Sequence, residues 1–155
     1  MNVRKKTAAD QPWIEETLER FWGGRIVVAH GEVFEPASLP ALIAGERQGI
    51  LTYSLDPPAA EIVTINSLEP RRGIGTALVE ALAAELAAQG VRELRVCTTN
   101  DNLDTLRFYQ RRGFRLAALR PGAVEQARLL KASIPRVGNF GIPRHDELEL
   151  ARPLP

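Results

Sequence analysis

Apolar residues return along this chain with two periods, one helical and one of two. Residues 1–6 read as a short strand. Ile14, Leu18, Phe21 and Trp22 then recur at helical spacing, behind Asp10 as a capping residue and Pro12 in the first turn. Gly23 and Gly24 end that run. Residues 26–34 read as a strand in which Gly31 marks a turn or a bulge. Residues 39–44 are short and apolar, 45–49 supply the turn of a hairpin, and 49–55 form a strand closed by Asp56-Pro57-Pro58. The β-branched run Ile62, Val63, Thr64, Ile65 predicts a central strand over 61–68.

An Arg/Gly turn over 69–75 leads into a helix over 74–89, where Ile74, Ala77, Leu78, Ala81, Leu82 and Leu86 share one stripe and Gly90 ends it. Residues 91–98 alternate as a strand, 102–112 form a second helix ended by Gly113, and 114–119 form another strand. A short helix over 123–131, a Pro/Gly-rich loop and a strand over 147–151 complete the chain. The middle alone suits a doubly wound sheet. The shorter strands before it and the late strand after it predict instead an α+β arrangement, a mixed sheet with few helices.

Composition narrows the function classes. A length of 155 residues suits one domain, and 45% hydrophobic with 25% charged residues is ordinary for a globular protein. Twenty Lys+Arg against 19 Asp+Glu leave a net charge of +1, which lacks the basic footprint of a nucleic-acid binder. The single cysteine, Cys97, excludes an intrachain disulfide. His30 and His145 have no neighbours at ligand spacing, so no metal is expected. The N-terminus has no apolar signal region and no stretch of eighteen apolar residues occurs, so a cytoplasmic protein with no membrane partner is expected. Only Lys5, Lys6 and Lys131 are lysines, and every other basic residue is an arginine. Genomic composition accounts for such a bias, and phosphate recognition is the alternative.

The turn Leu68-Glu69-Pro70-Arg71-Arg72-Gly73-Ile74-Gly75-Thr76 joins a predicted strand to a predicted helix. Glycines there allow close backbone approach, and free N–H groups at a helix N-terminus bind phosphate. A tight turn with glycines for steric reasons is the plainer reading. A dinucleotide fingerprint requires a third glycine where Leu78 stands, and no Gly-Lys-Ser/Thr loop is present. In the second helix Asn102 and Tyr109 lie two turns apart on one face, followed by Gly113-Phe114. Each taken singly reads as an N-cap and a core aromatic.

Together the two segments resemble the GNAT acetyltransferase superfamily. Gly73-Ile74-Gly75-Thr76-Ala77-Leu78 looks like its acetyl-CoA loop, and Asn102, Tyr109, Gly113 and Phe114 match its later motif in spacing. The match spans roughly residues 60–120. It departs where the family's leading Gln/Arg falls on Pro70 and the turn after Leu68 is a few residues short, which leaves Arg71 or Arg72 to supply the charge.

The resemblance implies a GNAT-like fold over 1–155: a central, mostly antiparallel, twisted sheet of six to seven strands flanked by helices. It implies an N-acetyltransferase moving the acetyl group of acetyl-CoA, a co-substrate, directly to a primary amine of a small molecule or protein. A non-catalytic acyl-CoA-binding regulatory module is the alternative. The resemblance places the pyrophosphate on N–H groups of Arg72, Gly73, Ile74, Gly75 and Thr76, beside Arg71. Backbone groups of Asn66, Ser67 and Leu68 would hold the pantetheine, with Asn102 positioning it and Arg111 or Arg112 at the 3′-phosphate. Tyr109 would be the general acid for the leaving thiolate. Glu61, Glu32, His30 or a water chain stand as candidate bases. Residues 121–145 would shape the substrate site, and Asp146, Glu147 and Glu149 would either attract a cationic acceptor or face water. The acceptor and the oligomeric state, a homodimer included, are left open.

Overall fold

The structure, a computed structural model, describes every residue of 1–155 except Arg71. Seven strands form the main sheet: β1 (Val3–Lys5), β4 (Ala41–Ala44), β5 (Gly49–Asp56), β6 (Ala59–Ser67), β7 (Glu93–Thr99), β8 (Arg115–Arg120) and β9 (Glu147–Pro153). Their order is β1-β4-β5-β6-β7-β9-β8. Every pairing is antiparallel except β6 with β7. The mixed sheet expected from the short flanking strands is therefore present, and the doubly wound alternative is not.

Four helices flank the sheet: α1 (Gln11–Trp22), α2 (Ile74–Ala88), α3 (Leu103–Gln110) and α4 (Ala123–Leu130). The stripe read on α2 is its buried face, with Ile74, Leu78, Leu82 and Leu86 at most 1% exposed. It packs on Leu51, Ile62, Leu94 and Val96 in the larger core, which also holds Tyr109 and Phe114. On the opposite face Ile14 and Leu18 of α1 meet Ala41, Ile43 and Ile50 in a smaller core. The alternation along β4 and β5 thus feeds two cores, one on each side of the sheet.

Two sequence expectations need correction. Residues 26–34 are not one strand but a hairpin of β2 (Val27–Ala29) and β3 (Glu32–Phe34), a separate two-stranded sheet. His30 and Gly31 form its turn, both at positive φ (41° and 81°), as a type I′ turn requires. Asp10 precedes α1 but does not cap it with its side chain. Its buried carboxylate turns back onto the Thr7 N–H (2.8 Å) and onto Arg4 and Arg47, tying the N-terminal strand to the β4–β5 turn.

The join between β6 and β7 positions the site. The two strands pair only over Ala59–Ile62 and Glu93–Val96. Beyond Ile62 the β5–β6 register slips, from Tyr53↔Ile62 to Thr52↔Thr64, leaving Val63 as an extra residue. A bulge bends its strand, so β6 leans away from β7 where it stops pairing. The strands run on to Ser67 and Thr99 with a V-shaped opening between them.

Candidate active site

Backbone alternation shows which groups line the V. The Leu68 N–H donates to the Gln48 carbonyl at 2.9 Å, and Asn66, two residues back, lies opposite Ile50 in the same register. In an antiparallel pair such positions point at their partner, and the intervening ones point away. Ile65 and Ser67 therefore turn their N–H and C=O groups to the V, whereas the Leu68 N–H is already committed. On the other wall the Asn100 N–H bonds the Asp146 carbonyl across the β7–β9 pair, so Cys97 and Thr99 face the V by the same rule. Ile65, Cys97 and Thr99 escaped the sequence reading because edge polarity depends on pairing partners far along the chain.

The N-terminus of α2 opens beside the V. Its first intrahelical bond runs from the Ala77 N–H to the Gly73 carbonyl, and no described side chain caps it. The N–H groups of Ile74, Gly75 and Thr76 precede that bond and form the positive end of the helix dipole. Each glycine has its own cause. Gly73 sits in the left-handed region at φ 69°, with nothing within 4 Å of a built Cβ, so its requirement is conformational. A Cβ on Gly75 would lie 3.1 Å from the Phe108 ring, so its requirement is steric.

Arg112 reaches this helix end from beyond α3. Its guanidinium donates to Thr76 Oγ1 (2.8 and 2.5 Å) and to the Phe108 carbonyl, and lies 3.9 Å over the Phe108 ring. Arg111 is exposed at the end of α3. Arg72 is exposed and reaches Glu69 at 3.5 Å. Arg71 lies outside the described residues. Ser67 Oγ is turned to the Glu69 carbonyl at 3.1 Å.

Asn102 is the N-cap of α3, its side chain accepting from the Thr105 N–H at 3.4 Å. Tyr109, the last residue but one of α3, is 1% exposed and stacks edge-on against Phe108 and Phe114. Its hydroxyl is buried with no hydrogen-bond partner among the described residues. Burial pushes its pKa above the ordinary tyrosine range. A buried, unpaired hydroxyl in the core costs free energy.

At the base of the V, on the face away from α2, His30 Nε2 lies 2.7 Å from Glu61 Oε1. Glu61 sits beside the last paired residue of β6. The β2–β3 turn delivers His30, and the Glu147 carboxylate accepts its backbone N–H at 2.9 Å. Burial works against charge on His30, but the Glu61 hydrogen bond and charge outweigh it and hold its pKa above the ordinary value. Burial likewise raises Glu61, against the pull of His30. Cys97 Sγ completes a cluster within 4.8 Å. Burial, with Glu147, Glu61 and Glu149 around it, drives its thiol pKa far up and disfavours the thiolate. These three residues are 31 or more positions apart, beyond the reach of motif spacing. Glu32 is on the same hairpin but exposed.

A cavity of about 540 Å³ opens on this face, between the end of α1, β2 and α4, while His30 and Glu61 line a second, polar pocket with Arg95, Arg120 and Glu149. Asn66, Thr99 and Asn102 reach the first of these from the V, and Glu147 lines it. Residues 121–145 do shape its wall. Asp101, fully buried, accepts from Thr99 Oγ1 (2.6 Å), from the Asn139 backbone and side chain, and from Arg144 (2.9 and 3.1 Å), pinning the loop after α4. Glu147 and Glu149 are held by Arg120 at 2.9 and 2.7 Å, and Asp146 accepts from the Gly122 N–H. They are braces rather than a free acidic patch.

The Asp101 brace carries a prediction. Burial raises its carboxyl pKa, but Arg144, Thr99 and the Asn139 N–H lower it more, so it ends below the usual carboxylate range. Its stabilisation is complete above the unfolded value of about 3.9 and is lost as the pH falls through the folded one. Asp101→Ala should cost about 3 kcal/mol near neutral pH, because Arg144 is left without its partner. The stability curves of variant and wild type, followed by thermal melts, should converge in acid.

The seven-stranded sheet is thus split between two parallel strands, with an uncapped helix N-terminus beside the split. The chain belongs to the acetyltransferase (GNAT) family, whose model matches residues 9–114. It is 35% identical to the uncharacterized Bacillus subtilis protein YdhI, with 87% of each chain covered. It is 32% identical to the uncharacterized YxbD of the same organism, with 99% of each covered. A GNAT family acetyltransferase from Elizabethkingia anophelis with acetyl-CoA bound has the same fold, with a TM-score of 0.68 and 20% identity over 99% of this chain and 97% of that one. Among the described residues no helix is long and apolar enough to cross a membrane.

Proposed function

We propose that this protein transfers the acetyl group of acetyl-CoA directly to a primary amine. The observation that carries the reading is the unpaired edges of β6 and β7, with an uncapped helix N-terminus on one face of the sheet and the His30–Glu61 pair beside the last paired residues on the other. Ile65 and Ser67 on one wall, with Cys97 and Thr99 on the other, offer donors and acceptors that suit the amides of an extended pantetheine. The N–H groups of Ile74, Gly75 and Thr76 suit a pyrophosphate, with Arg112 alongside. Arg112, rather than Arg111, is the arginine for the adenosine end.

The acceptor enters from the cavity on the opposite face. An alkylammonium must lose a proton before it can attack, and Glu61, backed by His30, takes that proton. The amine nitrogen forms a bond to the thioester carbon, and strand N–H groups at the V stabilise the developing oxyanion. The carbon–sulfur bond then breaks. Tyr109, whose hydroxyl is otherwise unpaired, donates its proton to the departing thiolate and recovers one from solvent, while the new amide nitrogen sheds its surplus proton to solvent.

Release of free thiol from acetyl-CoA with a panel of amines tests this reading. Turnover with at least one amine is expected. Binding of acetyl-CoA without turnover on any amine would favour the regulatory module instead. Tyr109→Phe should lower kcat by about 10²-fold while leaving acetyl-CoA affinity within a few-fold. The same change should raise the Tm of the ligand-free protein by roughly 2–4 °C, the effect of about 1 kcal/mol from removing an unsatisfied buried hydroxyl. An unchanged kcat would remove Tyr109 from the chemistry.

A further inference from the structure

We infer that the amine accepted by the cavity between α1, β2 and α4 also carries a carboxylate and an apolar body, and that Lys131 receives the carboxylate. The inference rests on the acetyl-transfer reading above and narrows its acceptor.

The balance of charge on the cavity wall points this way. Three cations line it, Arg20, Lys131 and Arg144, against one carboxylate, Glu147. Glu147 is already claimed, with Oε1 accepting from the His30 N–H and Oε2 from Arg120. Arg144 is consumed by the buried Asp101. Arg20 and Lys131 have no carboxylate partner among the described residues. Arg20 is exposed, its guanidinium 4.6 Å over the Phe21 ring.

Lys131 is the more informative of the two. It caps the end of α4, and its ammonium donates to the carbonyls of Trp22 (2.5 Å) and Ile26 (2.7 Å), beyond the end of α1. An ammonium has three donors, so one N–H remains. Two carbonyls supply dipoles but no opposite charge. Burial lowers the Lys131 pKa with nothing described to oppose it, the behaviour of a charge without a counter-ion. A ligand carboxylate supplies that counter-ion and accepts the third hydrogen bond. A second ammonium, as in a polyamine or aminoglycoside, would meet Lys131 and Arg20 with no free carboxylate on the wall. Alongside the polar Asn66, Thr99, Asn102 and Ser133, the residues Val27, Val28, Val124, Ala127 and Ile134 give the lining an apolar part that suits an aliphatic or aromatic body.

Steady-state acetylation of amino acids and their decarboxylated partners tests the assignment. Suitable pairs are L-leucine with 3-methylbutylamine, L-phenylalanine with 2-phenylethylamine, and 6-aminohexanoate with pentylamine. At least one acid is expected to exceed its amine in kcat/KM by roughly tenfold or more, the scale of one charge-assisted hydrogen bond. Lys131→Met should raise KM for that acid about tenfold with kcat within about twofold, so that the acid-to-amine ratio collapses. Lys131→Arg should keep the preference. A lysine that only ties α4 to α1 would lower Tm on replacement and leave the ratio unmoved, which overturns the assignment. Wild type turning over the plain amines as well as the acids also overturns it, whether or not the methionine variant folds. Acetyl-CoA binding with no acceptor turned over at all would instead remove the transfer reading, and this inference with it.

Discussion

Replacing Glu61 by glutamine is expected to lower kcat by roughly 10²–10⁴-fold, the range that a positioned general base contributes. Acetyl-CoA affinity should hardly change, because Glu61 lies on the face of the sheet away from α2. The pH profile gives a second, independent readout. Glu61 helps hold His30 above its ordinary pKa, so the acid limb of kcat/KM in the wild type should fall above the usual histidine value of about 6.5. The pair titrates as a unit, so the limb belongs to both groups. In Glu61→Gln the supporting charge is gone, and the residual limb should move to lower pH. A full wild-type kcat would remove the dyad from the chemistry. An unshifted limb with a lowered kcat would assign the titration to the acceptor amine instead.

Gly73→Glu is expected to weaken acetyl-CoA binding by about 100-fold or more in a calorimetric titration. Two effects combine, and their sizes differ. A side chain at φ 69° costs about 1–2 kcal/mol of backbone strain, which acts on stability. A carboxylate placed at the helix end meets the phosphates, and like charges about 4 Å apart cost on the order of 4 kcal/mol at a surface dielectric. Gly73→Ala separates the two. A Cβ there touches nothing within 4 Å, so alanine should show the strain in its Tm and keep acetyl-CoA affinity within a few-fold. Equal loss in both variants would mean that the turn's shape, not its charge, governs binding.

Much of this architecture was legible because it is local. The helical stripe from Ile74 to Leu86 and the β-branched run of Ile62 to Ile65 signal their elements within a few residues. The Gly73–Gly75 turn and the Asn102 to Tyr109 spacing likewise sit inside short windows. What escaped was made by distant pairing. Whether Leu68 or Ile65 offers a free N–H depends on a register with β5 that slips at Val63. His30 gains its meaning only when a type I′ turn carries it to Glu61, and one run of β-favouring residues over 26–34 concealed that turn. Arg111 and Arg112 are adjacent and alike in sequence. The turn that closes α3 directs the second toward Thr76 and leaves the first in solvent. The acids at 146–149 looked available because their partners, Arg120 and the Gly122 N–H, lie some 24 to 29 residues upstream.

The short parallel seam between β6 and β7 has a mechanical meaning. Every strand on the β6 side comes from residues 3–67, and every strand on the β7 side from residues 93–153. The molecule is thus two plates, each stitched from its own stretch of chain, that meet along four rungs with α2 laid across the larger core. The seam is not the longest-range pairing, since β7 and β9 pair residues 48 to 60 positions apart, but its four rungs are the only strand pairing that joins the two plates among the described residues. The seam is accordingly the natural fracture line of the fold. On the acetyl-transfer reading proposed above, a pantetheine arm in the V would extend the seam and splint the two plates while it is bound.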